Sequence, residues 1–463
     1  MLEFPKLKNT QTDNLKKLLE RCKRGKMLEK IKTLAENFIA QDKEILVISH
    51  HDTDGICSAA IMASALQKLD KKFSIKIIKQ LEKELIEKLP KKDLLFFLDL
   101  GSGSLEHLNQ LDNEIFILDH HEIGKQTSLK DNVRIVNPHL YNQEQLSGSC
   151  LTYLFVKEIS KENKELANLA VIGMVGDMLE KNIGKIGNII INDAEMLIKK
   201  GLLLYPATRP LNKTLEFSSS MFIPGVTGSS TGAAGLLKEA GIEKENGNYK
   251  SLIELNEEEM SKLVTAILLR RNDKEIEDFI GNIYLVKLFT QLEDARELSA
   301  IINSCSRLDH SNIALSLCMG SKKARKKAEE IYASYKQHLI AGLNFISNMK
   351  KIEGDNYIII NAKSNIKDTI IGTLASMLSM SSLYKEGTAI ITMANNENKI
   401  KISARIAGRN GRNIREILDS VVKEVGGESG GHALAAGCLI SKDKEQEFIE
   451  ALKKRLEIEM VKI

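Results

Sequence analysis

The sequence predicts an α/β protein, with an N-terminal domain on a parallel sheet, a smaller C-terminal α/β domain and an inserted, mainly helical segment between them. Three observations carry that expectation. Between residues 44 and 136, short continuous apolar runs alternate with helix-like stretches, as do strands buried on both faces of a parallel sheet. From about residue 201 the character changes, first to a loop region punctuated by Pro206, Pro210 and Pro224, then to charged helical stretches over 236–280. Strand-like runs return near Asn356 and close on a glycine-rich segment. At roughly 100–200 residues per domain, a chain of 463 has room for two to four domains.

Taken in order, residues 10–41 read as helical. Leu15, Leu18, Leu19 and Cys22 form one apolar stripe, which Leu28, Ile31, Leu34 and Ile39 continue. Ile45 to Ile48 is a strand that stops at Ser49-His50-His51-Asp52-Thr53-Asp54-Gly55, and a helix follows from Ile56 to Leu69. Further strands cover 73–78, 94–98, 115–118 and 133–136; the second leads into Asp99, the third into Asp119-His120-His121 and the fourth into Asn137-Pro138. Residues 163–180 are helical and close on Gly176-Asp177-Met178. Ser218 to Gly235 is rich in Ser, Gly and Thr, and a long basic helix runs from Ser321 to about Met349 with Lys322, Lys323, Arg325, Lys326 and Lys327. The last strands lie at 357–360, 388–393 and 399–406, before a helix over 413–425 and the glycines of 426–432. The expected divisions are 1–205 (sheet domain with N-terminal helices), 206–310 (insert), 311–345 (linker helix) and 346–463 (C-terminal domain).

Composition narrows the class. Apolar residues at 43% and charged residues at 28% fit a globular chain and exclude disorder throughout. The net charge of +4 neither demands nor excludes a nucleic-acid partner, because a basic groove can hide in a balanced total. Aromatics at 5% with no Trp speak against a surface built on ring stacking. No apolar run approaches the roughly 20 residues of a spanning helix, and Met1 to Gln11 is polar, so no membrane role is expected. None of the six cysteines forms a CxxC pair, as expected of buried, reduced thiols in a cytoplasmic protein.

The chemistry concentrates in His50, Asp52, Asp54, Asp99, Asp119, His120, His121 and Asp177. Singly, each has a structural reading: Asp52 and Asp54 as helix caps, Asp99 as a turn residue, Asp177 as a helix end. Jointly they lie at strand ends, and in an open parallel sheet the site lies outside the carboxyl ends of the strands. Carboxylates crowded there repel one another and resist desolvation unless cations neutralise them. A pair of divalent ions about 3.5–4 Å apart resolves that cost and suits phosphodiester hydrolysis. Mixed imidazole and carboxylate donors favour Mn²⁺ over Mg²⁺, with Zn²⁺, Co²⁺ or Fe²⁺ as alternatives.

The order His50-His51-Asp52-Thr53-Asp54-Gly55, Leu98-Asp99, Asp119-His120-His121 and Gly176-Asp177 resembles the four signature motifs of the DHH phosphoesterase superfamily. Gly430-Gly431-His432-Ala433-Leu434-Ala435-Ala436-Gly437 resembles the glycine-rich motif of the DHH-associated domain. Asn303-Ser304-Cys305-Ser306-Arg307-Leu308 resembles a RecJ segment that has Ala and Gly where this chain has Ser304 and Ser306. Phe222 to Gly228 resembles a loop of archaeal RecJ-like proteins, and Cys150 in Ser147-Gly148-Ser149-Cys150 stands where small residues are usual. Within that superfamily the chain resembles the archaeal RecJ-like exonuclease of GINS-associated nuclease type, a subgroup related to a degenerate helicase subunit of eukaryotes.

The resemblance implies that His50, Asp52 and Asp99 hold one metal, and that Asp54, Asp99, His120 and Asp177 hold a second, with Asp99 bridging. It implies that Asp119 orients the His120 ring and that His121 is a catalytic group facing the scissile phosphate. Asn303, Arg307, Arg405, Gly430, Gly431 and His432 become substrate contacts, the glycines as a backbone nest for phosphate. Arg409, Arg412 and Arg415 extend a basic patch of phosphate contacts or of solvated face. The implied activity is a metal-dependent, single-strand-specific exonuclease of DNA replication or repair, 5′ to 3′, releasing 5′-mononucleotides, with single-stranded DNA or RNA as substrate and GINS or the replicative helicase as possible partners. A small-nucleotide or oligoribonucleotide phosphodiesterase, or a replisome scaffold with secondary nuclease activity, are the alternatives.

Overall fold

The computed structural model describes residues 26–90, 94–123, 129–141, 144–218, 221, 223–271, 279–288, 292–381, 383–408 and 410–458. The helical reading of 10–25, with Cys22, and the readings of Phe222 and Arg409 lie outside them. The chain divides into two compact units, 1–331 and 332–463.

The first unit is built on five parallel strands: β1 (Ile45–His50), β2 (Phe73–Ile78), β3 (Leu94–Leu98), β4 (Glu114–Leu118) and β5 (Val133–Val136). Their spatial order is β2-β1-β3-β4-β5, with every neighbouring pair parallel. Edge strand β2 alternates half-buried and exposed residues, whereas central β3 is buried throughout. That difference explains why Leu94 to Leu98 is a continuous apolar run. One face packs on a phenylalanine cluster in which Phe38, of a helix over 26–39, meets Phe96 at 5.3 Å and Phe155 at 5.8 Å between ring centroids. The other face buries Leu46, Ile48, Phe97, Ile115 and Ile117 against Ile86, Leu105 and Leu108.

Helix α1 (Thr53–Lys68) is rich in Ala, Ser and Cys and is buried along almost its whole length. Small side chains let it pack closely on α2 (Gly148–Ile159) and α3 (Ala167–Gly176). Asp52 caps α1 by accepting the Gly55 N–H at 3.0 Å, so the cap reading of that residue holds beside any other role.

Beyond α3 the insert has its own core, in which Leu211, Leu215, Val226, Leu236, Leu237, Leu252, Leu263 and Ile283 are buried. Its main helices are α4 (Ser230–Glu239) and α5 (Glu257–Arg271). It also contributes strand β7 (Ile280–Val286), which pairs antiparallel between β6 (Leu197–Leu202) and the short β8 (Glu293–Asp294). Helix α6 (Ala295–Arg307) returns the chain to the sheet domain.

The second unit holds a six-stranded sheet: β9 (Ile352–Gly354), β10 (Tyr357–Asn361), β11 (Ala389–Asn396), β12 (Lys399–Ile406), β13 (Glu428–His432) and β14 (Ala435–Ser441). The order is β13-β14-β12-β11-β10-β9, and only β10 and β11 run parallel. Helices α8 (Ile414–Val425) and α9 (Glu445–Ile458) cover one face with Ile402, Ala404, Ala436 and Ile440 beneath them. Helix α7 (Asp368–Ser379) lies on the other face, where Arg405 Nε donates to Ser376 Oγ at 3.0 Å. Edge strand β13 is exposed at every residue. Among the described residues no helix is long and apolar enough to cross a membrane, and Cys57, Cys150, Cys305, Cys318 and Cys438 are buried free thiols.

Candidate metal centre

The strand order reverses at β1, because β2 lies on one side of it and β3 on the other. A doubly wound sheet opens a crevice at such a switch point. His50 ends β1, Asp99 follows β3, His120 follows β4, and all face that crevice with Asp54 of the first turn of α1 and Asp177 from the end of α3. Donor atoms of His50, Asp52 and Asp99 lie within 4.8 Å of one another, as do those of Asp54, His120 and Asp177, and those of Asp99, His120 and His121.

The distances are those of a packed donor set. His50 Nδ1 is 2.8 Å from Asp52 Oδ2 and 3.5 Å from Asp99 Oδ2. His120 Nε2 is 3.2 Å from both Asp99 Oδ1 and Asp177 Oδ2, and 3.9 Å from Asp54 Oδ2. Asp99 holds a left-handed backbone at φ +58°, an unusual conformation for a residue with a Cβ, imposed between the sheet and the next turn.

Charge is stored here against its cost. Burial, then the neighbouring Asp99 charge, pushes the Asp54 carboxyl up to about 7. Burial and the charges of Asp54 and Asp99 raise Asp177 well above the carboxylate range. Burial disfavours a charged His120 ring, yet Asp99, Asp177 and Asp54 outweigh it and lift its pKa to about 10. His50 is likewise raised, Asp52 and Asp99 overcoming its burial. Without a cation, then, the crevice keeps protons. Both Asp99 oxygens, Asp177 Oδ2 and His50 Nδ1 are nevertheless buried without a well-aligned hydrogen-bond partner. Orphaned carboxylate oxygens and imidazole nitrogens aimed at shared points fit divalent cations as the missing partners.

Some positions differ from the sequence reading. Asp119 does not hold the His120 ring: its Oδ1 accepts the His121 Nδ1–H at 2.8 Å, and from His120 it takes only the backbone N–H. The reason is local geometry, since the residue after Asp119 turns its ring toward Asp99 and Asp177 while the next one folds back. Residues not singled out for the centre also build it. The Gly148 and Ser149 N–H groups of α2 bind the two oxygens of Asp54, Ser102 N–H binds Asp119 Oδ2, and Asn137 Nδ2 bridges Ser102 Oγ and the His121 carbonyl. Their only sequence signal was small or polar residues next to apolar runs.

The chain matches the DHH family N-terminal domain over residues 44–174, the DHH-CID domain over 204–278 and the DHHA1 domain over 354–457. It carries the DHH, DHH-CID and DHHA1 domains in that order. A relative in sequence is an uncharacterized protein of Methanocaldococcus jannaschii, 29% identical over 92% of this chain and 96% of that protein. A SPbeta prophage-derived protein of Bacillus subtilis, named as a single-strand DNA-specific exonuclease, is 27% identical over 36% of this chain, which spans 30% of that protein. In fold, this DHH protein resembles RecJ of Thermus thermophilus, solved with Mn²⁺, at TM-score 0.58 and 18% identity, covering 93% of this chain and 54% of RecJ. It also resembles CDC45 of Entamoeba histolytica at TM-score 0.63 and 14% identity, covering 93% and 99%.

The other expected substrate residues of this DHH chain fall in both units. Asn303 and Arg307 share one face of α6 with Ser299, at i+4 and i+8, and the Ser299 carbonyl accepts the Thr53 hydroxyl at 2.9 Å beside the metal crevice. In the second unit, Arg405, Ala435 and His432 stand in cross-strand register on one face, with Ser403, Gly437 and Gly430 as the next row. The glycines form this strand rather than the expected nest, because their backbone pairs with β14. Arg405 also donates to the carbonyls of Ala404 and Ala436. Arg412 differs from a phosphate contact: it donates to the carbonyls of Leu456 at 2.6 Å and Asn356 at 3.2 Å. Arg415 lies 3.8 Å from Asp419.

Proposed function

We propose that this chain is a two-metal phosphodiesterase, acting as a single-strand-specific exonuclease that works 5′ to 3′ and releases 5′-mononucleotides in DNA replication or repair. The observation that carries the reading is the crevice itself, where four carboxylates and two imidazoles converge with buried oxygens that no hydrogen bond satisfies. The RecJ-like fold supports the same reading, as does the sequence likeness to the Bacillus subtilis protein.

In this reading His50, Asp52 and Asp99 hold one ion, and Asp54, Asp99, His120 and Asp177 the other. Bound there, a pair of Mn²⁺ ions, or Mg²⁺, Co²⁺ or Zn²⁺ in their place, supplies Lewis-acid charge at the phosphodiester and lowers the pKa of water. Asp99 would serve both sites, with Oδ2 lying 3.5 Å from His50 Nδ1 and Oδ1 lying 3.2 Å from His120 Nε2. Asp119 holds the half-exposed His121 ring, and although burial disfavours charge there, its hydrogen bond raises the ring's pKa above the ordinary histidine value. Such a ring can stabilise charge on the phosphoryl oxygens or give a proton to the leaving oxygen. Arg405, Gly430, Gly431 and His432 take the phosphate of the terminal nucleotide, and Asn303 and Arg307 take the strand. Phosphate contacts of this kind carry little base specificity, and their affinity falls as salt rises.

A second reading, a replisome scaffold that binds GINS or the replicative helicase through the insert, draws on the likeness to CDC45 over 99% of that chain. The filled donor set favours an active enzyme, which a scaffold role does not exclude. The test is purified protein with Mn²⁺ on 5′- and 3′-labelled single-stranded DNA and RNA. Ladder direction and product size assign polarity and substrate. Wild-type rates from Asp99→Ala or His120→Ala protein would sink the two-metal reading; cleavage of small nucleotides alone would favour the small-nucleotide alternative.

A further inference from the structure

Asp54 differs from the other acidic residues of the crevice in how it is held. It is fully buried, and each of its oxygens is bound by the first turn of α2: Gly148 N–H reaches Oδ2 at 2.5 Å and Ser149 N–H reaches Oδ1 at 3.1 Å. The Ser149 hydroxyl lies 2.9 Å from Ser147 Oγ and 3.2 Å from the Ala170 carbonyl of α3. A Cβ at Gly173 would meet Ser149 Oγ at 2.1 Å and Asp54 Oδ1 at 2.5 Å, so both groups crowd one spot on α3. A Cβ at Gly148 would strike Asp99 Cβ at 2.6 Å and come within 3.0 Å of Asp54 Oδ2. The helix end that could take an outside anion is filled by a carboxylate of the chain itself.

We infer that the first turn of α2, through Gly148 and Ser149, is a positioning element that fixes Asp54 as ligand of one ion, the one shared with His120 and Asp177. This rests on the two-ion reading above. Asp52 is held quite differently, from within its own loop by the Gly55 N–H, and its side chain is one-third exposed. Loosening Asp54 therefore weakens one ion and spares the other, whereas a general loss of fold would weaken both. The hydrogen bond from Ser149 to the proposed ligands is the one from its N–H to Asp54 Oδ1, and its hydroxyl braces that turn against Ser147 and α3.

The experiment is Mn²⁺ titration of the metal-stripped full chain by calorimetry, with electron paramagnetic resonance reading the exchange-coupled pair. Wild type takes two ions and shows coupling. Ser149→Ala, which keeps the N–H but removes the hydroxyl that holds this turn against Ser147 and α3, keeps one ion at wild-type affinity, binds the second about 10-fold more weakly, and loses coupling at two equivalents. Cys150→Ala, one residue on and equally buried, keeps both affinities. If Ser149→Ala melts early without metal, Ser147→Ala, which removes the hydroxyl that braces Ser149 and accepts the Cys150 N–H, gives the same selective loss at smaller size. Two ions at wild-type affinity in Ser149→Ala, or equal weakening of both, overturns the inference. Fewer than two ions in wild type overturns the reading beneath it, and the inference with it.

Discussion

Asp119 binds the ring of His121, not that of its immediate neighbour His120, with 2.8 Å between Oδ1 and Nδ1. The carboxylate is buried, and backbone N–H groups of His120, His121 and Ser102 complete its shell. Burial opposes its charge, but His121 and Ser102 hold its pKa well below the usual carboxylate range. Its fixed charge therefore sets the His121 tautomer, with the proton on Nδ1. Asp119→Asn and His121→Ala are each expected to lower kcat by about 10²-fold or more. The double variant should be little worse than either, because the two act as one unit. Mn²⁺ affinity should barely move. Single-turnover rates on labelled single strands, beside a Mn²⁺ titration, check this; loss of an ion in Asp119→Asn would tie Asp119 to His120 instead.

The crevice was legible because its chemistry is written at chain positions that break a simple pattern. Ile45 to Ile48, Leu94 to Leu98 and Ile115 to Leu118 are unbroken apolar runs, so the polar residues after them stand out and a parallel sheet brings them together. What was not legible depends on pairing at a distance. Gly148 to Ile159 gave no helical signal, since burial on most sides erases its polar face. Strand β7 lay hidden among charged helices. Gly430 and Gly431 read as a phosphate nest, and only the partner strand, several residues on, makes 428–432 extended. Arg412 read as a phosphate contact or part of a solvated face, because a sequence does not reveal that the end of α9 lies beside it.

The raised pKa values make the metal-free protein sensitive to pH in a defined direction. Asp54 at about 7, with Asp177, His50 and His120 also raised, means that the folded crevice binds more protons than the unfolded chain. Stability then falls as pH rises, from the carboxylate range up through about 7 for Asp54 and up through about 10 for His120. Metal binding must displace those protons. Melting curves with and without Mn²⁺ should show a larger stabilisation at pH 8 than at pH 6. Calorimetry in buffers of different ionisation enthalpy should show proton release. An equal Mn²⁺ shift at both pH values would contradict the assignment.

Arg412 serves the fold. Its guanidinium ties the carbonyls of Leu456 and Asn356 together, joining the end of α9 to the start of β10. Hydrogen bonds from a charged donor contribute about 1.5–3 kcal/mol, and Arg412→Ala should destabilise the protein by a loss of that order. Affinity for single strands, and the slope of log affinity against log salt, should stay as in wild type. A slope reduced by about one unit would instead count Arg412 among the phosphate contacts.

Adjacent glycines of β13 should separate structure from recognition. Gly431 has φ +128°, and a Cβ there would meet the Ala435 carbonyl oxygen at 2.5 Å and Ala436 Cα at 2.6 Å. Alanine at 431 must strain the backbone or push β13 from β14, at a cost of about 1–3 kcal/mol. Gly430 is different: a Cβ there meets nothing within 4 Å, and its φ is not in the left-handed region. Packing gives no reason for a glycine at 430, yet it stands exposed on the same face as Arg405 and His432, in the row beside them. If that face takes the phosphate of a terminal nucleotide, the missing side chain is what admits it. Gly430→Ala should then keep its melting temperature while KM for single strands rises about tenfold and kcat changes less. Gly431→Ala should melt earlier. Unchanged kinetics in Gly430→Ala would remove β13 from the substrate surface.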